Sequence, residues 1–328
     1  MINYRNLNDL NLTITKSLYK IPRDISLVVG VPRSGLLPAN LLALHLNLPL
    51  TDFEGLLEGR LIKSGYRGRN TDKKSLKAIL DGKILIVDDS VSSGSTMEET
   101  KRRLKDTTFE GRVIFLAIFV NPDSRSIVDL YFEEIRGYRI FEWNLMHSAM
   151  ATQCCFDIDG VLCEDPAKEQ NDDGERYERF LKEARPLHLP SVKLGFLVTC
   201  RLEKYRRLTE KWLKKHEIHY NHLVMLDLPN KEARIAAGIH SEYKAKVYMQ
   251  SKAPLFIESS LRQANEISKL SNKQVLCLET QRMVYPSSIQ YPIKKILHDP
   301  NCIYRRLRLY VRWFKKFIFD IHPPTEQL

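Results

Sequence analysis

Short unbroken apolar runs that end in an acidic residue or a glycine and then pass straight into a helical pattern recur along this chain. No other feature restricts its fold as much. "DISLVVGVPRSGLLPANLLALHL" (24–46) gives a buried strand, a tight glycine turn and a helix. "DGKILIVDDSVSSGSTMEETKRRL" (81–104) repeats the order: strand from Lys83 to Val87, Asp88 and Asp89 at its carboxyl end, then a helix from near Thr96. Strand–loop–helix order predicts an α/β fold with parallel sheets and flanking helices. It also points backbone N–H groups and a helix N-terminus at a place where an anion can sit. Glu98 and Glu99 in the first turn, with Lys101, Arg102 and Arg103 further along, suit the dipole of that helix.

At 328 residues the chain is long enough for two domains. Boundaries are expected at 1–150, 151–298 and 299–328, the last a basic amphipathic tail. The longest apolar run, "VIFLAIFV" (113–120), is far too short to cross a membrane. "MINYRNLNDLNLTITKSLYK" shows no apolar leader, so a cytoplasmic location is expected. The cysteines at 154, 155, 163, 200, 277 and 302 form no CxxC pair and read as small buried hydrophobes. A net charge of +11 implies anionic partners without choosing among them.

Ser92, Ser93, Ser95 and Thr96 around Gly94 form a loop dense in hydroxyl donors, sized for a phosphate monoester. A P-loop is excluded because no lysine follows Gly94, and GxGxxG is absent. Two carboxylates before such a cradle can accept hydrogen bonds from vicinal hydroxyls, so a phosphorylated sugar would bridge them. "ILIVDDSVSSGST" (84–96) resembles the phosphoribosyl pyrophosphate (PRPP) signature of type I phosphoribosyltransferases, and "VVGVPRSGLLPA" (28–39) resembles that family's pyrophosphate loop. The resemblance implies that Asp88 and Asp89 hold the ribose hydroxyls and that Ser92, Ser93, Gly94, Ser95 and Thr96 hold the 5-phosphate. Pro32, Arg33, Ser34 and Gly35 would approach a magnesium-bound pyrophosphate. Ser93 stands where the family usually has threonine. Residues 51–75 fall at the family's mobile loop. A hydroxyl acceptor would need a general base, for which Asp52 and Glu54 are the candidates. Ordinary solvated carboxylates are the competing reading.

A second acidic pair, in "QCCFDIDGVL" (153–162), follows another apolar run. Alternate residues just beyond a strand can both face the crevice at its carboxyl end. This stretch resembles motif I of the haloacid dehalogenase (HAD) phosphohydrolases, with Asp157 as nucleophile and Asp159 as acid and base. Further motifs follow in order: Thr199 in "LGFLVTCR" (194–201), Lys244 or else Lys246 in "HSEYKAKVY" (240–248), and Glu258 ending the last strand in "APLFIESS" (253–260). The resemblance implies Mg²⁺ held by Asp157, the Asp159 carbonyl and Glu258. Ser259 and Ser260 stand where a second acid is common. The forty residues from Asp159 to Thr199 and forty-five from Thr199 to Lys244 leave no room for a large cap, so an open site is expected.

Ile303, Leu307, Tyr310, Val311, Phe314, Phe317, Ile318 and Ile321 share one helical face, with Arg305, Arg306, Arg308, Arg312, Lys315 and Lys316 opposite. This suits peripheral contact with the cytoplasmic face of an inner membrane, or else packing on the second domain or a dimer contact. No nucleic-acid-reading motif accompanies the charge. The pairing resembles bacterial PRPP-dependent ribofuranosyltransferase–phosphatase proteins. It implies transfer of phosphoribose to a lipid-linked oligosaccharide, then removal of the 5-phosphate, in building an O antigen or capsule. The alternative is an orotate or purine phosphoribosyltransferase with an accessory phosphatase, and a third reading is a PRPP-sensing regulator. Homo-oligomerisation is left open.

Overall fold

A computed structural model of the chain describes residues 2–62 and 81–286. The chain divides into two compact units, Met1–Ala151 and Thr152–Leu328. The amphipathic pattern of the tail, and the part of the expected mobile loop from 63 to 75, lie outside the described residues.

The first unit opens with β1 (Ile2–Arg5) and α1 (Leu7–Ser17). A capping box starts α1: the Asn6 side chain accepts from the Asp9 N–H, and the Asp9 carboxylate accepts from the Asn6 N–H. Then come β2 (Ile25–Gly30), α2 (Leu36–Leu46), β3 (Leu50–Asp52), α3 (Phe53–Glu58), β4 (Lys83–Val91), α4 (Ser95–Leu104), β5 (Val113–Val120), β6 (Leu130–Glu134) and β7 (Tyr138–Phe141). The main sheet runs β3-β2-β4-β5-β6 with every pair parallel, and β1 pairs β7 in a separate parallel ribbon. Alternation along the strands sends Val28, Leu85 and Val87 to one face, against Leu10 and Ile14 of α1 and Leu42 of α2. Leu27, Val29, Ile84 and Ile86 face the other way, against Phe53 and Leu56 of α3 and Leu104 of α4. Burial on both faces explains why these strands read as continuous apolar runs. β4 extends four residues beyond the expected Val87, because Ser90 and Val91 still pair with Phe119 and Val120 of β5. Asp88 and Asp89 therefore lie within a strand rather than after it.

The second unit holds β8 (Cys155–Phe156), α5 (Glu175–Glu183), β9 (Leu194–Leu202), α6 (Arg206–Lys215), β10 (Tyr220–Leu226), α7 (Lys231–Ala237) and α8 (His240–Gln250). It continues with β11 (Phe256–Glu258), α9 (Leu261–Ser271), β12 (Val275–Cys277) and β13 (Arg282–Val284). The strand order is β10-β9-β8-β11-β12-β13, parallel except for β12–β13. Glu258 does end β11, but β11 is not the last strand. β12 and β13 are three residues each, too short to show a period, and α9 returns the chain to pair β12 with β11. Cys155, Val198, Tyr248, Phe256, Ile267 and Val275 share one buried cluster here.

In each sheet the strand order reverses beside a central strand. The chain steps from β2 outward to β3 and returns to β4 on the other side of β2. It likewise steps from β8 through β9 to β10 and returns to β11 on the other side of β8. Loops leaving adjacent strands in opposite directions open a crevice at the carboxyl ends, where ligands of parallel sheets bind. Both acidic pairs stand at these reversals.

Candidate functional sites

At the first reversal, Asp88 and Asp89 are 8% and 5% exposed. Burial, reinforced by Asp89, pushes the Asp88 carboxyl up to about 8. Asp89 is held from both sides: Ser34 Oγ donates to one oxygen at 2.8 Å and Trp143 Nε1 to the other at 2.7 Å. The loop after β2 is tied to β4 by the Val31 N–H, which donates to the Val87 carbonyl at 2.9 Å. Gly35 fits this approach because a Cβ there would stand 2.5 Å from the Val31 carbonyl oxygen and 2.7 Å from that of Val87. Pro32 and Arg33 are exposed at the loop's tip. After β4, Ser92, Ser93, Ser95 and Thr96 form an exposed hydroxyl rim around buried Gly94, whose φ of +88° favours glycine. The expected phosphate cradle, pyrophosphate loop and acidic pair are thus together at one crevice.

Asp52 and Glu54 are engaged elsewhere. Asp52 caps α3, accepting from the Gly55 N–H at 2.7 Å, and lies 3.4 Å from the Arg60 guanidinium. The Gly55 hydrogen bond is the main cause holding its carboxyl below the usual range. Glu54 takes both Arg103 terminal nitrogens, at 2.6 and 2.7 Å, and this pairing lowers its pKa. Neither presents an unengaged carboxylate to act as base.

At the second reversal, Lys244 reaches from α8 between two buried carboxylates. Its Nζ donates to Asp157 at 2.7 Å, to Glu258 at 2.8 Å and to Gln263 Oε1 at 3.0 Å. Lys244 is buried and Lys246 is exposed, so Lys244 is the lysine of the cluster. Burial pushes the Asp157 carboxyl up to about 8, against the pull of Lys244. Burial also works to lower the Lys244 pKa, but Asp157 and Glu258 outweigh it and hold the ammonium above its usual value. Thr199 is fully buried within β9, and its Oγ1 accepts from the Arg201 N–H at 3.1 Å. Gly160, at φ +74°, turns the chain close against Ser259 and Asp165. Among the described residues no three His, Cys, Asp or Glu side chains stand close enough to hold a metal. The expected donor set needs only two carboxylates, Asp157 and Glu258, with the Asp159 carbonyl. That carbonyl accepts from Ser259 Oγ at 3.4 Å, and an all-oxygen set suits Mg²⁺.

Asp157, Asp159, Cys200, Arg201, Arg234 and Lys244 help to line a cavity of about 170 Å³. Two short crossing segments are joined beside it: the Lys231 N–H donates to Asp173 at 3.0 Å, and Arg234 Nη2 donates to Asn171 Oδ1 at 3.0 Å.

Comparison with known proteins bears on the first unit. The family of the phosphoribosyl transferase domain matches residues 4–150. Xanthine-guanine phosphoribosyltransferase of Cereibacter sphaeroides is 30% identical over 126 residues, 36% of this chain and 68% of that protein. The chain belongs to the phosphoribosyltransferase family. The enzyme of the same name from Chromohalobacter salexigens is 31% identical over 117 residues, 35% of this chain and 65% of that protein. Transcriptional regulator GfcR 2 of Methanosarcina acetivorans is 23% identical over 118 residues, 36% of this chain and 55% of that protein. The chain thus spans under two-thirds of the length of these last two relatives.

In the phosphoribosyltransferase unit, sequence reasoning missed Trp143, which reaches Asp89 from 54 positions away and stacks on Phe141 at 4.8 Å. It also missed Arg139 on β7, whose two terminal nitrogens are buried without a hydrogen-bond partner. Burial pulls the Arg139 pKa down, and Asp89 and Asp88 pull it back up. In the second unit it missed Arg201, whose fully buried guanidinium bonds Asp159 at 2.6 and 3.1 Å. Arg201 stands two residues after Thr199 on the same strand, so the alternation that pointed Thr199 at the crevice could have found it.

Proposed function

We propose that the phosphoribosyltransferase unit moves the 5-phosphoribosyl group of PRPP to an acceptor, releasing pyrophosphate, and that the second unit hydrolyses a phosphomonoester. The observation that carries the transfer is the buried Asp88–Asp89 pair beside the Ser92–Thr96 hydroxyl rim, with the Gly35 loop held against the same strand. Asp88 and Asp89 would take the ribose hydroxyls, the rim the 5-phosphate, and Pro32 to Gly35 the pyrophosphate. The bond from ribose C1 to pyrophosphate breaks, the acceptor atom bonds C1, and the acceptor's proton leaves. Magnesium would supply charge neutralisation on the leaving group.

For hydrolysis, the Lys244 bridge between Asp157 and Glu258 supports Asp157 as nucleophile. An Asp157 oxygen would attack phosphorus as the ester P–O bond breaks. Asp159 would have to release its Arg201 partner to give the leaving oxygen its proton and then take one from the water that cleaves the aspartyl-phosphate. Thr199 would hydrogen-bond the transferring phosphoryl oxygens. Magnesium between Asp157, Glu258 and the Asp159 carbonyl would neutralise charge there.

The names of the relatives favour a nucleobase acceptor over the glycan hydroxyl that the sequence reading put first. Engagement of Asp52 and Glu54 points the same way, since an acidic nucleobase N–H depends less on a strong base than a sugar hydroxyl does. The glycan reading keeps one observation in its favour: the assembled second cluster would strip phosphate from a nucleotide made by the first. Peripheral membrane contact rests on residues 299–328 alone. No helix among the described residues is long and apolar enough to cross a membrane.

The full chain should be incubated with PRPP, magnesium and either a purine and orotate panel or a lipid-linked glycan, with pyrophosphate and then phosphate measured. Pyrophosphate release with a nucleobase selects the first acceptor, and release only with the glycan selects the second. No release with any acceptor overturns the transferase reading. Asp157→Asn should leave a phosphorylated product, and phosphate-free product from that variant overturns the second reaction.

A further inference from the structure

The cavity beside Asp157 contains three buried cations, and two of them are matched. Lys244 is paired with Asp157 and Glu258, and Arg201 with Asp159. Arg234, on α7, is 8% exposed and makes no ion pair with any described residue. Its Nη1 donates to the Cys200 carbonyl at 3.3 Å and its Nη2 to Asn171 Oδ1 at 3.0 Å, and the Tyr177 hydroxyl bonds it as well. Its Nε is buried with no partner at all.

Every group that meets this guanidinium is therefore a neutral dipole. A charge held out of water without a counter-charge is costly, and proteins keep one where an anion is to arrive. The local fold does not call for the charge, because a neutral donor would satisfy both the Asn171 amide and the Cys200 carbonyl. The arginine is also held in place from several sides. Asn230 caps the start of α7 by accepting from the Ala233 N–H at 2.9 Å. Lys231 binds Asp173, and Asp173 in turn accepts from Lys204 at 2.7 Å and from Tyr205. A planar fork fixed in this way, with an unused N–H, is suited to the oxygens of a phosphoryl group.

We propose that Arg234 is the substrate-anchoring residue of the second site and binds the non-bridging oxygens of the phosphomonoester beside Asp157. This rests on the phosphomonoesterase reading of that site and adds to it a phosphate receptor supplied by the segment between β10 and α8. A cavity of about 170 Å³ accommodates the phosphoryl group and little else. The remainder of the substrate would extend toward the neighbouring groove of about 550 Å³, lined in part by Arg185, Leu187, His188 and Glu279. The two share Asp165 and Ser259.

The test uses the full chain with magnesium and two probes: inorganic phosphate, titrated calorimetrically and read as the difference between wild type and variant so that the first site's contribution cancels, and p-nitrophenyl phosphate, followed as hydrolysis. Arg234→Gln should weaken phosphate and raise KM by about 10- to 100-fold, with kcat changed by less than about tenfold. Arg234→Lys, which keeps the charge without the fork, should fall between and is the variant to rely on if the glutamine protein does not fold. Unchanged phosphate affinity and KM in the folded variant overturn the proposal while leaving the phosphomonoesterase reading intact. If wild type hydrolyses nothing, yet Arg234→Gln loses phosphate binding, the hydrolytic reading fails and the anion site stands.

Discussion

Replacing Lys244 with methionine keeps the length of the side chain and most of its volume while removing one charge from the most buried polar cluster of the second unit. The wild-type Nζ lies 2.7 Å from Asp157 and 2.8 Å from Glu258, and the three residues are 2%, 4% and 0% exposed. Breaking a buried pair by deleting one partner costs about 3–5 kcal/mol, because the other charge stays buried and uncompensated. Here two carboxylates are left. Asp157 can relieve part of the penalty by taking up a proton, since burial already raises it toward about 8 even with Lys244 pulling it down. Through Asp157 the folded variant therefore binds more protons than its unfolded chain in the neutral range, so its stability rises as pH falls, by up to about 1.4 kcal/mol per pH unit. Differential scanning calorimetry of the full chain should show the second-unit transition lowered by roughly 6–20 °C at pH 8, using about 2–4 °C per kcal/mol. The loss should be clearly smaller at pH 5.5. Adding Asp157→Asn to Lys244→Met should recover part of the loss at pH 8. A loss below about 1 kcal/mol, or the same loss at both pH values, would refute the claim that Lys244 compensates two buried charges.

Three further outcomes follow from the first unit. Gly35→Ala places a Cβ against backbone atoms of Val31, Val87 and Asp88 that cannot rotate away, so the loop must leave β4. PRPP-dependent pyrophosphate release should fall roughly 100-fold, and activity within about threefold of wild type would refute the close approach. Asp88 holds a proton between about pH 4 and 8 that the unfolded chain lacks, so its contribution to stability is present at low pH and lost as pH rises through that window. Asp88→Asn should flatten the fall in urea stability of the first-unit transition between pH 5 and 8; an unchanged slope would remove Asp88 as its source. Asp52→Asn and Glu54→Gln, acting on carboxylates that cap α3 and pair Arg103, should each keep transfer within about threefold, whereas a loss of about 100-fold or more in either would restore it as the base.

Much of the fold was legible because its signals are local. Leu27, Val28, Val29, Ile84, Leu85 and Ile86 are buried on both sheet faces, so the strands stand out as unbroken apolar runs, and a glycine turn marks each exit. Strands as short as β12 and the antiparallel β13 carry no such signal, so the apolar pattern ends at β11. The acidic pairs were legible for a related reason. A carboxylate just after a buried run is expensive to place unless it faces a crevice, so its presence there is informative. Asp52 and Glu54 sit at a comparable strand end, but their partners Arg60 and Arg103 come from other elements, and a pattern along the chain does not reveal pairing across it.

The amino-acid order alone determined that parallel strands would alternate with helices, that two acidic pairs would follow buried apolar runs, and that a hydroxyl-rich loop would follow the first. These are consequences of periodicity and turn chemistry within about twenty residues. Only the tertiary structure decided which charges are matched. It placed Lys244 between Asp157 and Glu258, turned Asp159 to Arg201, brought Trp143 to Asp89, and left Arg234 facing neutral dipoles. The reason is that the state of a buried charge depends on whatever lies within a few ångströms in space, and those neighbours come from positions as many as 87 residues apart in the chain.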